Sequence, residues 1–183
     1  MSEIKFEWES GIEEVCSKLK DKKLIGIQLP DGLKVKSHTI TKKIKDLTGA
    51  NVILWGEPTY GACDLADRPL EEVGADALIH LGHMPMPYHS EFYAIPTYFV
   101  PVKHTGKLNL KDESLEKIRK MLPKKIGIVT TAQHLHMIDE ATEKLEDIGF
   151  DASVTKGGPR LAAAGQLLGL SLIHISEPTR LRR

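Results

Sequence analysis

The chain has 183 residues, 41% hydrophobic and 27% charged, which is enough for one or two domains with real cores and is too apolar for disorder. Lys+Arg and Asp+Glu are equal at 25, so the formal charge is zero and the pI is about 7.1, and no nucleic-acid partner is expected. No apolar run approaches the roughly 18 residues of a membrane helix, and residues 1–10 are too polar for a signal peptide, so the expected location is cytoplasmic, away from any membrane.

Ile12, Val15, Cys16 and Leu19 fall at helical spacing and predict an amphipathic first helix. Residues 24–29 are a short apolar run closed by Pro30-Asp31-Gly32, which predicts a buried strand ending in a tight loop. Leu33, Ile40, Ile44 and Leu47 trace the apolar face of a second helix that Gly49 ends. A strand over 52–55, a loop over 56–62, a helix over about 63–73 and strands over 77–81 and 96–102 follow. Strands alternating with helices predict an α/β fold with parallel sheets flanked by helices.

Residues 103–110 are polar, contain Gly106 and read as a linker, which closes a first α/β domain over 1–106. Leu115, Ile118 and Leu122 predict a short helix. The pattern then restarts: Lys22-Lys23-Leu24-Ile25-Gly26-Ile27 is answered by Lys124-Lys125-Ile126-Gly127-Ile128, each followed by a loop and a helix carrying Leu33 or Leu135. A repeat on this scale predicts duplicated domains. The second unit adds a helix through Leu135, Ile138, Leu145 and Ile148, a strand over 151–154, then only a Gly/Pro-rich loop and small residues. Residues 107–169 are therefore expected to be a partial second α/β domain. Residues 170–183 continue no strand–helix pattern, resemble a translated sequencing adaptor and are expected to be a non-native tail.

Two cysteines make no disulfide framework. Cys16 lies on the apolar helix face beside Val15 and Leu19 and gets no role. Cys63 stands in Glu57-Pro58-Thr59-Tyr60-Gly61-Ala62-Cys63-Asp64, a loop leaving the carboxyl end of a strand, where open α/β sheets bind ligands. It is also expected to open a helix, whose amides favour a thiolate. Such a thiolate can bind iron or attack an electrophile; the competing reading is a small core thiol in a non-catalytic α/β binding or dimerisation domain. Cys-x-x-Cys, Gly-x-Gly-x-x-Gly and Gly-x-x-x-x-Gly-Lys are absent, and so is the three-cysteine motif of radical enzymes. One cysteine cannot hold a cluster, so its partners would come from other domains or another chain.

Leu29-Pro30-Asp31-Gly32-Leu33, Tyr60-Gly61-Ala62-Cys63-Asp64, Gly82-His83, Val129-Thr130-Thr131-Ala132-Gln133-His134 and Gly165-Gln166-Leu167-Leu168-Gly169 together resemble the archaeal diphthamide synthases, the 2-(3-amino-3-carboxypropyl)histidine synthases. The resemblance runs from about residue 20 to 169. That family places a cysteine after the last motif, where this chain has Leu170. The resemblance implies three similar α/β domains, each giving one cysteine to a [4Fe-4S] cluster, with Cys63 the first of these metal ligands. It implies S-adenosylmethionine as co-substrate, an external electron donor and a radical mechanism. The 3-amino-3-carboxypropyl group passes to a histidine of elongation factor 2, and the family form resembles a homodimer. The hard chemistry is the cofactor's, so no catalytic side chain is assigned.

The methionine part of the co-substrate needs hydrogen-bonding partners at the strand ends. Gln28, Asp31, Gly82 and His83 are the candidates in the first unit, and Thr130, Thr131, Gln133 and His134 in the second. Against these stand plainer readings: Asp31-Gly32 as a turn, Thr130 and Thr131 as helix caps, His134 as a solvated residue. Met84-Pro85-Met86-Pro87-Tyr88-His89 either walls a cofactor pocket or packs a rigid loop.

Overall fold

Two segments of alternating apolar pattern give two units, Met1–His104 and Thr105–Arg183, in the computed structural model of the chain. It describes residues 6–7, 9–86, 90–108, 110–159 and 161–167. The expected tail over 170–183, Leu168-Gly169 of the last motif and Pro87-Tyr88-His89 lie outside the described residues.

The first unit contains β1 (Phe6–Glu7), α1 (Glu9–Ser17), β2 (Leu24–Gln28), α2 (Asp31–Lys34), α3 (Ser37–Thr48), β3 (Asn51–Leu54), α4 (Asp67–Glu72), β4 (Ala77–Leu81), a 3₁₀ turn at Ser90–Phe92, β5 (Thr97–Val100) and β6 (Lys103–His104). Its sheet is parallel, in the order β3-β2-β4-β5. Alternation along β2 and β4 sends Ile25, Ile27, Ala77, Ile79 and Leu81 to one face, where they pack with Ile12, Cys16 and Leu19 near α1 and Ile40 and Ile44 of α3. Each fully buried aliphatic there contributes about 1.5–3 kcal/mol.

The other face carries a smaller core of Ala66, Leu70, Ala75, Leu78 and Ile95. Gly26 makes it possible, because a Cβ at that point would stand 2.7 Å from Leu70 Cδ1. Beyond Gly26 and Leu78 this face turns polar, with Gln28 and His80 paired in register and both essentially inaccessible.

The second unit contains α5 (Asp112–Met121), β7 (Lys125–Gly127), a 3₁₀ segment at Ala132–Met137, α6 (Ile138–Asp147) and β8 (Asp151–Ser153). β7 and β8 pair in parallel, and Thr130 bridges Gln166 in parallel further along. Of its described residues only Ile138, Phe150, Gly165 and Gln166 are buried.

Three local expectations need correction. The second helix is split, α2 from α3, at Lys36, whose ψ of 6° leaves the helical range. The helix expected from residue 63 begins at Asp67, because Asp64 and Ala66 spend backbone groups on Gln28. The expected linker begins with a strand, β6, which pairs antiparallel with β1 from the far end of the unit.

Candidate functional site

Parallel strands bring the carboxyl ends of β2 and β4 side by side, and the segment after β3 folds across that edge. Its start is tied down by Lys34 of α2, whose Nζ donates to the carbonyls of Gly56 (2.9 Å) and Glu57 (2.8 Å) and pairs with Asp31 Oδ1 at 2.7 Å. Its end is tied down by Gln28. The Gln28 Nε2 donates to Asp64 O at 2.7 Å, and Oε1 accepts from Ala66 N at 3.2 Å. Between the clamps the chain makes a tight turn: Asp64 N donates to Gly61 O (3.1 Å), and Asp64 Oδ2 accepts from Tyr60 N (3.2 Å). Cys63 sits in that turn with an exposed side chain.

The two thiols are thus opposites. Cys16 is buried in the core, and burial pushes its thiol up to about 11, so it stays protonated. Cys63 is open to solvent, which rules out the core-thiol reading. The helix-terminus argument for its thiolate also fails, since α4 starts four residues later.

Beside the loop lies a chain of buried polar groups. His80 Nδ1 meets Gln28 Oε1 at 2.9 Å, and His80 Nε2 meets His83 Nδ1 at 2.9 Å. Phe99 packs against His80 with ring centroids 5.1 Å apart, and Tyr93 against Phe99 at 6.1 Å. Burial holds the His80 imidazole down to about 3, helped by the neighbouring His83. Burial also lowers His83, against the charge of Asp64, which pulls it back up. Thr59 Oγ1, in the cysteine loop, is buried and finds no hydrogen-bond partner among the described residues.

Of the predicted residues in this unit, Gln28 is 1% exposed and bound on three sides, which ties it to the loop and to His80. Asp31 is exposed and ion-paired. Gly82 is buried, with φ of +88°, and its N–H donates to Val100 O at 2.9 Å. His83 is half-buried. A Cβ on Gly82 would lie 2.5 Å from Pro30 Cγ in an unfavourable backbone region. Gly82→Ala is therefore expected to cost about 2–5 kcal/mol from left-handed strain and overpacking, read as a fall in the denaturant midpoint.

In the second unit, Thr130, Thr131, Gln133 and His134 gather after β7. Thr130 donates its N–H to Gly165 O (2.7 Å) and accepts from Leu167 N (2.8 Å). Gln166 Oε1 accepts from the amides of Ala162 (2.9 Å) and Ala163 (3.1 Å). Thr131 Oγ1 meets His134 Nδ1 at 3.2 Å and makes no helix cap. Gln133 and His134 are half-buried.

Sequence reasoning missed Lys34 and His80. His80 had a signal, a titratable residue inside the otherwise apolar run Ala77-Leu78-Ile79-His80-Leu81, three residues before His83. For Lys34 the sequence shows only the i,i+3 pair with Asp31; the loop carbonyls it clamps are 22 and 23 residues away.

A [4Fe-4S] cluster calls for cysteine sulfur donors, and this edge offers it one, Cys63. Cys63 offers an exposed sulfur donor, and among the described residues no group of three His, Cys, Asp or Glu could hold a metal.

Fold and site together define a parallel α/β unit that presents one exposed cysteine on a doubly anchored loop at its carboxyl edge. Residues 29–180 match the diphthamide synthesis protein family, a span that takes in residues 170–180 of the segment read as a tail. The chain is 41% identical over 157 residues to the 2-(3-amino-3-carboxypropyl)histidine synthase of Pyrococcus horikoshii, covering 82% of this chain and 44% of that protein. It is also similar to the crystal structure of Dph2 from Pyrococcus horikoshii, with a TM-score of 0.75 and 39% identity over 86% of this chain and 46% of the other. A second crystal structure of that Dph2, with a 4Fe-4S cluster, gives a TM-score of 0.73 at the same identity and coverage. This chain belongs to the diphthamide synthesis protein family. It spans less than half the length of these relatives.

Proposed function

We propose that the chain is part of a 2-(3-amino-3-carboxypropyl)histidine synthase, in which Cys63 is one thiolate ligand of a [4Fe-4S] cluster. The observation that carries this reading is the exposed Cys63 thiol on a loop pinned at both ends by Lys34 and Gln28. The remaining ligands come from outside the described residues. When bound, the cluster supplies the electron that cleaves S-adenosylmethionine and frees its 3-amino-3-carboxypropyl group for a histidine of elongation factor 2. This chain's residues do the rest by position: Gln28 and Lys34 hold the sulfur in place, while Asp31, Gly82 and His83 line the strand ends beside it. Thr130, Thr131, Gln133 and His134 line the corresponding edge of the second unit and offer hydrogen-bonding groups for a co-substrate there. The working protein is a cytoplasmic homodimer served by an external electron donor, with no nucleic-acid or membrane partner; among the described residues no helix is long and apolar enough to cross a membrane.

The test is transfer of isotopic label from the carboxypropyl carbons of S-adenosylmethionine to elongation factor 2. A full-length protein built on these residues is expected to transfer it, and Cys63→Ser to lose transfer. The 183 residues alone are expected to transfer none. Undiminished transfer by the Cys63 variant would overturn the reading.

A further inference from the structure

We propose that Gln28 and His80 lock the tautomer of His83, leaving its Nε2 as a hydrogen-bond acceptor for an N–H donor of the ligand bound at this edge. The polarity of the whole chain of bonds is decided at its backbone end. Asp64 O can only accept and Ala66 N–H can only donate, so the Gln28 amide has one possible orientation, with Oε1 toward Ala66. That oxygen carries no proton. His80 Nδ1, 2.9 Å away, must therefore donate to it.

His80 is fully buried and, among the described residues, contacts no carboxylate, so it is the neutral ring. A neutral ring with Nδ1–H has a bare Nε2. His83 Nδ1, 2.9 Å from that nitrogen, must then donate in turn. Burial disfavours the charged form of His83, against the pull of Asp64, and a neutral ring that donates from Nδ1 keeps the lone pair on Nε2. No described residue bonds to that atom, and the ring is half-buried, not sealed. The two inner residues thus act as positioning residues, and the outer one reads its ligand.

The consequence is selective. A carboxylate has only lone pairs and gains nothing from this nitrogen, whereas an ammonium, amide N–H or hydroxyl does. On the S-adenosylmethionine reading proposed above, on which this ligand assignment rests, His83 takes the amino group and not the carboxylate.

Long-range ¹H–¹⁵N correlation spectra of the ¹⁵N-labelled chain read the tautomers directly. Both His80 and His83 are expected to show Nδ1–H and an unprotonated Nε2 at neutral pH. An Nε2–H signal on His83, or a doubly protonated His83, overturns the lock. Gln28→Glu places a carboxylate against His80 Nδ1, favours the imidazolium and is expected to invert His83 to Nε2–H; an unchanged His83 in the folded variant also overturns it. His83→Asn keeps a donor toward His80 but removes Nε2, so His80 should keep its pattern in that variant, and a changed pattern counts against the lock.

For the ligand, cluster-loaded full-length protein with His83→Asn is expected to bind S-adenosylmethionine about tenfold or more weakly, and to bind its deaminated analogue as wild type does. Equal weakening for both overturns the amino-group assignment. Failure of the wild-type protein to bind S-adenosylmethionine overturns that assignment together with the functional reading, whereas a wrong tautomer overturns the lock alone.

Discussion

Gln28→Leu is expected to lower the melting temperature of the first unit by on the order of 10 °C or more, and to free the end of the cysteine loop. Leucine fills much the same space, so packing is roughly kept and the hydrogen-bonding loss is isolated. The substitution strips partners from Ala66 N, Asp64 O and His80 Nδ1 at once. Leaving a buried polar group unsatisfied costs about 1–3 kcal/mol each, against a whole-domain stability of about 5–15 kcal/mol. Hydrogen exchange separates loop release from general softening. The Ala66 amide, protected in the wild type, should exchange quickly in the variant even where the amides of β2 and β4 stay protected. An unchanged melting temperature with a protected Ala66 amide would show that the clamp is not what holds the loop.

Mild acid is the second strong effect. The folded state holds His80 at about 3, below its ordinary value of 6.5, so the unfolded chain takes up the proton first. The stability from keeping this ring neutral is complete above about pH 6.5 and drains as the pH falls toward 3. At one pKa unit per 1.36 kcal/mol, about 2 kcal/mol is gone at pH 5, and about 4 kcal/mol by pH 3. His83, lowered in the same direction, adds to the loss, while Asp64 beside it works the other way. The carboxylates held below their ordinary range, Glu14, Asp21 and Asp76, lose stability only in stronger acid, because their ordinary values are 4.5, 3.8 and 3.8. The interval from about pH 6.5 to 5 therefore belongs to the histidines. Denaturant midpoints measured across it should fall for the wild type and flatten for His80→Gln; a flat wild-type profile would contradict the buried neutral ring.

What can be read from sequence divides along physical lines. β2, β4, α1 and α3 are legible because their periodicity coincides with the core they build: Ile25, Ile27, Ile79, Ile40 and Ile44 are all fully buried. The α/β class follows from the same alternation. The loop around Cys63 is recognisable as a strand-end site, but the start of α4 is not, because it is set by side-chain bonds from Gln28 some 36 to 38 residues earlier. β6 is hidden for a similar reason, being two residues long and paired with β1 near the opposite end of its unit. Gln28 stands where a ligand-binding residue would, yet the loop and His80 take both acceptor positions and one donor of its amide. Strand-end position marks which residues approach a ligand edge, but only the packed structure shows which are already spent. His80 escapes a sequence reading because one polar residue in five hardly disturbs the apolar pattern of β4.

Everything proposed for function depends on Cys63 gripping iron, and the direct measurement is anaerobic reconstitution of a full-length protein built on these residues with iron and sulfide. Thiolate-to-iron absorption should develop in the wild type and fail to develop in Cys63→Ala, while Cys16→Ala, altered at the buried thiol, should still acquire it. A cluster of undiminished intensity in Cys63→Ala, or none in the wild type, would contradict the account.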